Sequence, residues 1–279
     1  MNLGFVFTPT RNLTFSVDHF RINKNGVIAG GDSIPALNAY FSGQPIPAGY
    51  TVIPGVPNPN KPDLLPLPGF ILSPFQNLNS LETSGFDFAA TADFQLTPDI
   101  RWSSSFSATY IDKFNQSFPL PGGGVQVQHY AGSLGPCNVG GCLGTPQWRG
   151  NWQNSLDFGR TVLTATAYYT DGYQLQAEDY GDVIGRCVDA NGKSAASANG
   201  TYADGVTPIL CKTDSFIKVD LNATFQINDG YQLFATVLNA FGADAPLDPA
   251  TYGGYQYQTA WAQSGAIGRY FKVGFKATF

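Results

Sequence analysis

Charge is scarce in this chain. Only 13% of its 279 residues are Asp, Glu, Lys or Arg, where a soluble globular domain usually carries about 25%. Long hydrophobic runs are missing too, since no stretch reaches the roughly 18 consecutive apolar residues that a membrane-crossing helix needs. The 15 Lys and Arg are scattered and outnumbered by 20 Asp and Glu, for a net charge of −5. That leaves no basic patch to neutralise phosphates, so nucleic acid is excluded as a partner. There is one Met, and the two His are isolated from each other. A secretory leader is also lacking: Met1 runs straight into Leu3, Phe5 and Phe7 without a basic segment, an apolar segment or a cleavage site. The expectation is that an export signal lies upstream in a longer protein, or that the start is artificial.

What the chain does have is 14% aromatic residues, 32 Gly and 19 Pro, with a mean hydropathy of −0.10. Low charge and low hydropathy are compatible if the apolar surface is hidden in period-two alternation, as in a membrane β-barrel. Reading for that period predicts nine strands, near 1–8, 12–22, 84–96, 100–112, 147–158, 161–171, 215–226, 230–241 and 268–279. Their connections alternate between short and long. The short ones are Pro9-Thr10-Arg11, Thr97-Pro98-Asp99, Gly159-Arg160 and Ile227-Asn228-Asp229. The long ones, 23–83, 113–146, 172–214 and 242–267, are rich in Gly, Pro, Asn and Ser. Outer-membrane barrels sort their connections in this way, with turns periplasmic and loops extracellular. The expected fold is therefore all-β: an antiparallel, up-and-down transmembrane β-barrel segment of about nine strands.

One phase of the strands is apolar. It holds Phe15 and Val17; Phe86, Phe88, Phe94 and Leu96; Trp102, Phe106 and Tyr110; Trp148, Trp152 and Leu156; and Leu163, Ala165, Ala167 and Tyr169. It continues through Ile217, Val219, Leu221, Ala223 and Phe225, and through Tyr231, Leu233, Ala235 and Val237. The other phase holds Asp18, Asp87, Asp93, Arg101, Arg149, Asp157, Lys218, Asp220, Lys272 and Lys276. A Lys or Arg facing mid-bilayer lipid costs about 2–4 kcal/mol, so this segregation suits a lipid-facing band and a wet lumen. His19, Arg21 and Asp171 break the pattern, all toward loop ends. A soluble sheet packed on one face would segregate charge as well, but it would need a second apolar layer that this sequence does not supply.

The end of the chain is the most distinctive part. Phe271, Val273, Phe275 and Ala277 alternate up to a terminal Phe279. This resembles the closing strand of outer-membrane proteins, which the barrel-assembly machinery recognises. Upstream, the aromatic-rich run from Tyr231 to Leu238 ends in Asn239-Ala240-Phe241. It looks like the penultimate strand of TonB-dependent receptors, where an Asn-x-Phe element closes the strand. Pro246, Asp248-Pro249-Ala250-Thr251-Tyr252-Gly253-Gly254 and Gly268-Arg269-Tyr270-Phe271 then follow. The resemblance is most specific over 230–279.

It implies a barrel of the 22-strand class with a plugged lumen, a plug domain inside it, and a short box that engages TonB. Neither plug nor box is recognisable here, so residues 1–279 are expected to be the C-terminal part of a receptor barrel, without its plug domain and its first strands. An odd strand count points the same way, because closing it would bring two parallel strands together.

Little else in the sequence suggests chemistry. Cys137 and Cys142 fall in one predicted loop, Cys187 and Cys211 in another. Local disulfides Cys137–Cys142 and Cys187–Cys211 are the favoured arrangement in an oxidising compartment. Zinc is the alternative, but the Cys spacing and the irregular His19 and His129 do not suit it. Pro121-Gly122-Gly123-Gly124 lacks the Gly-Lys-Ser/Thr of a phosphate loop. No nucleophile elbow orders a Ser, His and Asp, so neither a catalytic residue nor a cofactor is expected.

Loop aromatics and acids are the candidate ligand contacts: Tyr173, Glu178, Asp179 and Tyr180, and Tyr252, Tyr255, Tyr257 and Trp261. Each has an ordinary alternative in loop packing or interface anchoring. The function that the resemblance implies is energised uptake of a scarce solute such as a ferric siderophore, a cobalamin or a glycan. It would take place in the bacterial outer membrane, with lipid around the barrel and the TonB complex engaged through the missing N-terminal region. The alternatives are a passive porin-like channel and a surface adhesin or structural sheet.

Overall fold

The structure is a computed structural model. It describes residues 1–30, 33–119, 124–138, 141–175, 197–201, 206, 208–248, 257–260 and 262–278. The strands are β1 (Asn2–Thr10), β2 (Leu13–Gly30), β3 (Thr51–Pro54), β4 (Pro68–Leu72), β5 (Phe75–Thr97), β6 (Ile100–Pro119), β7 (Val125–His129) and β8 (Cys137–Asn138). They continue with β9 (Gly141–Cys142), β10 (Trp148–Asp157), β11 (Thr161–Thr170), β12 (Ser197–Thr201), β13 (Pro208–Leu210), β14 (Phe216–Asn228), β15 (Tyr231–Leu238) and β16 (Tyr270–Ala277). Two short helices are α1 (Ile34–Phe41) and α2 (Gln263–Ile267). No described helix is long and apolar enough to cross a membrane.

One sheet carries the order β1-β2-β5-β6-β10-β11-β14-β15-β16, with β7 paired to β6. Those nine consecutive neighbours are the nine strands read from periodicity. The hairpins β1–β2, β10–β11 and β14–β15 are antiparallel, as are the pairings β6–β10, β11–β14 and β15–β16 across the long connections. Pro98 and Asp99 join β5 to β6, and Asp229 and Gly230 join β14 to β15. Where the structure departs from the periodicity is in length. β2 continues to Gly30, β5 begins at Phe75 and β6 runs to Pro119, beyond the predicted 12–22, 84–96 and 100–112.

By internal packing the chain divides into two units. One comprises residues 24–81 and 116–127. It contains α1 and the β3–β4 hairpin, and the Tyr40 hydroxyl donates to the Pro66 carbonyl at 2.8 Å. The other comprises residues 1–23, 82–115 and 128–279 and contains β1, β10, β11, β14, β15 and β16.

The register of this larger unit aligns the apolar phase from strand to strand. Trp102 faces Leu156, Leu156 faces Leu163, Leu163 faces Ala223, Ala223 faces Ala235 and Ala235 faces Val273. These side chains are not a core. Trp152 is 52% exposed and Val273 80%, so the face is an apolar surface open to its surroundings.

Aromatics gather at two levels of that face. Phe94 stacks on Trp102 and Tyr231 on Phe275 near the short turns; His19 meets Phe86, and Trp148 meets Phe88 and Tyr110 near the loops. Trp102 and Tyr110 are eight residues apart on β6, about 27 Å along a strand. After tilting, that spacing matches the two aromatic girdles of an outer-membrane barrel. Small residues such as Ala108, Ala165 and Ala235 occupy the band between.

All three pattern-breaking residues find partners toward the loop end. His19 packs on the Phe86 ring at 5.0 Å, and Arg21 pairs with Glu82 at 2.9 Å. Asp171, just beyond β11, accepts the Tyr169 hydroxyl at 3.0 Å.

The fully buried side chains lie instead in the loops. Tyr130, Leu134, Tyr173, Leu175, Cys211, Asn239, Asp248 and Gln258 are all at most 2% exposed. The Asn-x-Phe element belongs here. Asn239 ends β15 with a positive φ of 50°, a conformation Asn tolerates better than most residues. Its side-chain amide bridges the carbonyls of Ala243 and Ser264 at 2.9 and 3.2 Å, while its backbone N–H donates to Asp220 at 2.8 Å. The residue thus ties the strand end, the following loop and α2 together.

Candidate functional site

The face opposite the apolar one is polar and hydrogen-bonded from strand to strand. Asn151 donates to Ser107 at 2.9 Å, Ser155 and Thr164 share a bond of 2.9 Å, and Asn222 donates to Thr236 at 2.8 Å. Arg101 grips Asp93 with two bonds of 2.8 and 2.7 Å, and Ser103 adds a third to the same carboxylate. Lys218 lies 3.0 Å from Asp220 and sits over the Tyr168 ring at 4.3 Å.

Near the loop end this wall borders a cavity of about 1110 Å³. Its sides are Ser16 and Asp18 from β2, Asp87 from β5, Ser107 and Thr109 from β6, Arg149 and Asn151 from β10, Tyr168 and Thr170 from β11 and Lys218 from β14. Its roof is the segment Leu143–Gln147 with Gln258 and Ala260. A smaller hollow of about 360 Å³, closer to the turns, is lined by Gln153, Thr166, Asp220, Asn222 and Thr236.

The registers show how the charges are arranged. Asp93 N–H donates to the Asn12 carbonyl at 2.9 Å, which aligns β2 with β5. Six residues further along each strand, Asp18 stands opposite Asp87, and the adjacent His19–Phe86 ring contact has the same alignment. Asp87 accepts the Thr109 hydroxyl at 2.6 Å, and Thr109 faces Arg149 in turn. One transverse row of the wall therefore reads Asp18, Asp87, Thr109, Arg149, Thr170.

The roof is braced by loop contacts distant in sequence. Gly144 N–H donates to Leu134 O at 2.7 Å, Thr145 N–H to Ser133 O at 2.9 Å, and the Gln258 amide to Leu143 O at 2.7 Å. Beside it the buried Tyr173 donates its hydroxyl to Asp248. Gly144 has φ +63°, and a Cβ there would come within 2.6 Å of the Tyr173 ring. Only glycine satisfies both conditions without displacing that ring.

The sequence-predicted contacts fare unequally. Tyr173 lies 1% exposed inside the loop layer, where it braces the roof from within. Tyr257 is half-buried beside Gln258 in sequence. Glu178, Asp179, Tyr180, Tyr252, Tyr255 and Trp261 lie outside the described residues. Phe271, Val273 and Phe275 stand 64%, 80% and 56% exposed on the apolar face of β16, and Ala277 pairs with Tyr231; Phe279 is outside the described residues.

Cys137 and Cys142 are opposed in the β8–β9 hairpin, Cys142 and Cys211 are buried, and no cysteine among the described residues is free. Cys187 is outside the described residues. Among the described residues no group of His, Cys, Asp and Glu is arranged to hold a metal. Sequence reasoning had the cavity's Asp18, Asp87, Arg149 and Lys218 in the polar phase without joining them into a site. The register that sets Asp18, Asp87 and Arg149 in one row, with Lys218 in the neighbouring row opposite Tyr168, was the missing signal.

Over residues 1–240 the sequence matches the family described as TonB dependent receptor-like, beta-barrel. The chain belongs to that family. No curated protein sequence matches it. Solved structures with the same fold include the siderophore receptor PirA from Acinetobacter baumannii, with 15% identity and a TM-score of 0.52. Another is the outer membrane transporter YddB from Escherichia coli, with 10% identity and a TM-score of 0.51. A third is a mutant of the ferric enterobactin receptor PfeA from Pseudomonas aeruginosa in complex with enterobactin, with 13% identity and a TM-score of 0.50.

In each case the whole of this chain is covered, but only 31%, 32% and 31% of the respective solved chain. The chain thus spans about a third of the length of these structures. For a TonB-dependent receptor barrel the two faces are accounted for: the apolar face with its girdles meets lipid, and the hydrogen-bonded face with its cavity lines the lumen.

Proposed function

We propose that this chain forms the C-terminal part of the barrel of a TonB-dependent outer-membrane transporter, and that its cavity receives the solute on its way inward. The observation that carries the reading is the large cavity itself, walled by six strands of a receptor-family sheet and roofed by braced loops. A lumen with such a pocket offers a place for a solute to dwell, which suits capture better than free diffusion. No catalytic role is assigned.

The plug and the TonB-engaging segment belong to a part of the transporter outside residues 1–279, and β16 serves as the strand recognised during barrel assembly. Cys137–Cys142 and Cys187–Cys211 are the proposed disulfides, each closing one loop beside the roof. The solute is of the scarce kind taken up by energised transport, in the siderophore, cobalamin or glycan class; PirA is by its name a siderophore receptor and PfeA a ferric enterobactin receptor.

The test is uptake by cells that express the full-length protein, with and without TonB, on a panel of ferric siderophores, cobalamin and oligosaccharides. Accumulation of one solute class that vanishes without TonB is the expected result. Entry of many small solutes regardless of TonB, ordered only by their size, would make the protein a passive channel.

A further inference from the structure

Asp18 on β2 and Asp87 on β5 face each other across neighbouring strands, where like charges repel, and their side chains turn apart. Asp87 turns to β6 and accepts the Thr109 hydroxyl. Asp18 turns the other way and lies over Gly4 of β1, its partner in the register. A Cβ at Gly4 would collide with that carboxylate. The φ of Gly4 is not in the left-handed region, so what the position uses is the absence of a side chain. The Asp18 carboxylate fills the space where a Gly4 side chain would begin, and β1 thereby presents a carboxylate to whatever lies beyond it. Among the described residues nothing does. β1 ends the strand order, every one of its residues is exposed, and Asp18 has no hydrogen bond or ion pair there. Elsewhere in the wall, Asp93 holds Arg101 and Asp220 holds Lys218.

We infer that the open edge of β1 is completed by a strand of the same transporter that carries a Lys or Arg on its lumen face, opposite Gly4 or two residues to either side, and that this cation pairs with Asp18 across Gly4. The inference rests on the transport reading above and names the neighbour that continues the cavity wall, since Asp18 borders the cavity.

The distances suit such a pair. Neighbouring strands lie about 4.7–4.9 Å apart, so a carboxylate over Gly4 is one strand spacing from the residue opposite and within reach of a long side chain at the diagonal positions. A carboxylate kept above β2 would be two spacings away, about 9–10 Å. Water alone would hydrate it equally well there, and would leave unexplained a glycine that weakens the strand.

One experiment places a photo-crosslinking phenylalanine analogue at Leu3, beside Gly4 on the lipid face, in the full-length protein in outer membranes. Mass mapping should find it joined to a strand upstream of residue 1, whose lumen-face positions nearest Gly4 include a Lys or Arg. A second experiment measures unfolding of the full-length protein by denaturant in lipid vesicles. Asp18→Ala should raise the unfolding equilibrium constant about threefold, the usual scale of a cross-strand charge pair. Adding Gly4→Asp returns a carboxylate to the same place from β1 and should restore the loss, whereas adding Gly4→Asn should not. Replacing the cation by Met should make the Asp and Asn versions equal.

The inference is overturned if Asp18→Ala leaves the constant unchanged, or if Gly4→Asn restores as much as Gly4→Asp. It is overturned too if Leu3 cross-links to nothing beyond β2 or only to a second copy. An upstream strand without the cation would overturn this inference alone. A cross-link from Leu3 to β16 would remove with it the reading of residues 1–279 as part of a larger barrel.

Discussion

At the scale of single residues, the lipid-facing phase contains two polar side chains that hydrophobicity alone does not explain. Ser104 and Asn154 accept the indole N–H groups of Trp152 and Trp102, at 2.9 and 3.3 Å. Lipid tails offer no acceptor, so a tryptophan in that band needs one from the protein. The sequence showed the phase of these strands but not the pairing, because each partner is about fifty residues away. Tyr173 misled for the same reason: an aromatic in a predicted loop looks like a ligand contact until Asp248, 75 residues on, is seen to hold it inside.

The phase itself can be tested at neighbouring positions. Leu221 is on the apolar face and Asn222 on the polar one, both on β14. Leu221→Arg is expected to destabilise the inserted protein by about 2–4 kcal/mol if it lies at mid-bilayer depth, while Asn222→Arg costs far less. Reversible unfolding by denaturant in lipid vesicles measures the difference. Equal costs at the two sites would show that both faces are wet.

At the scale of elements, the turns and the nine strands were legible because a membrane imposes alternation on every strand that crosses it. Beyond the bilayer that constraint ends. In β2 the segment Asn23-Lys24-Asn25-Gly26-Val27 shows no apolar stripe, yet the backbone continues as strand to Gly30. Strand pairing there is sustained by backbone bonds, and side-chain periodicity carries no trace of it. The same holds for α1 and the β3–β4 hairpin inside the predicted loop 23–83.

The cysteines offer a test of loop architecture. If Cys137 joins Cys142 and Cys187 joins Cys211, proteolysis of non-reduced protein from an outer membrane should release two cross-linked products, each confined to one loop. Mass mapping decides. A Cys137–Cys211 or Cys142–Cys187 product would instead join the two loops covalently and make the roof one cross-linked unit.

At the scale of the molecule, burial runs opposite to that of a soluble protein. The strands expose their large apolar side chains on one face and polar ones on the other, and the dry packing is in the loops around Tyr130, Leu134 and Leu175. Such a sheet is stable only when lipid covers one face and every strand has neighbours on both sides, because an unpaired backbone group in a bilayer costs several kcal/mol. β1 and β16 stand at the two ends of the strand order. With nine strands alternating in direction, they run parallel to each other, and bacterial single-chain barrels avoid that pairing at closure. Residues 1–279 expressed on their own, with an export signal, are therefore expected to aggregate or to associate through these edges. Semi-native electrophoresis of outer membranes provides the measurement, since a closed barrel migrates differently before and after boiling. A monomeric, heat-modifiable band would show that β1 and β16 pair with each other, and that nine strands suffice.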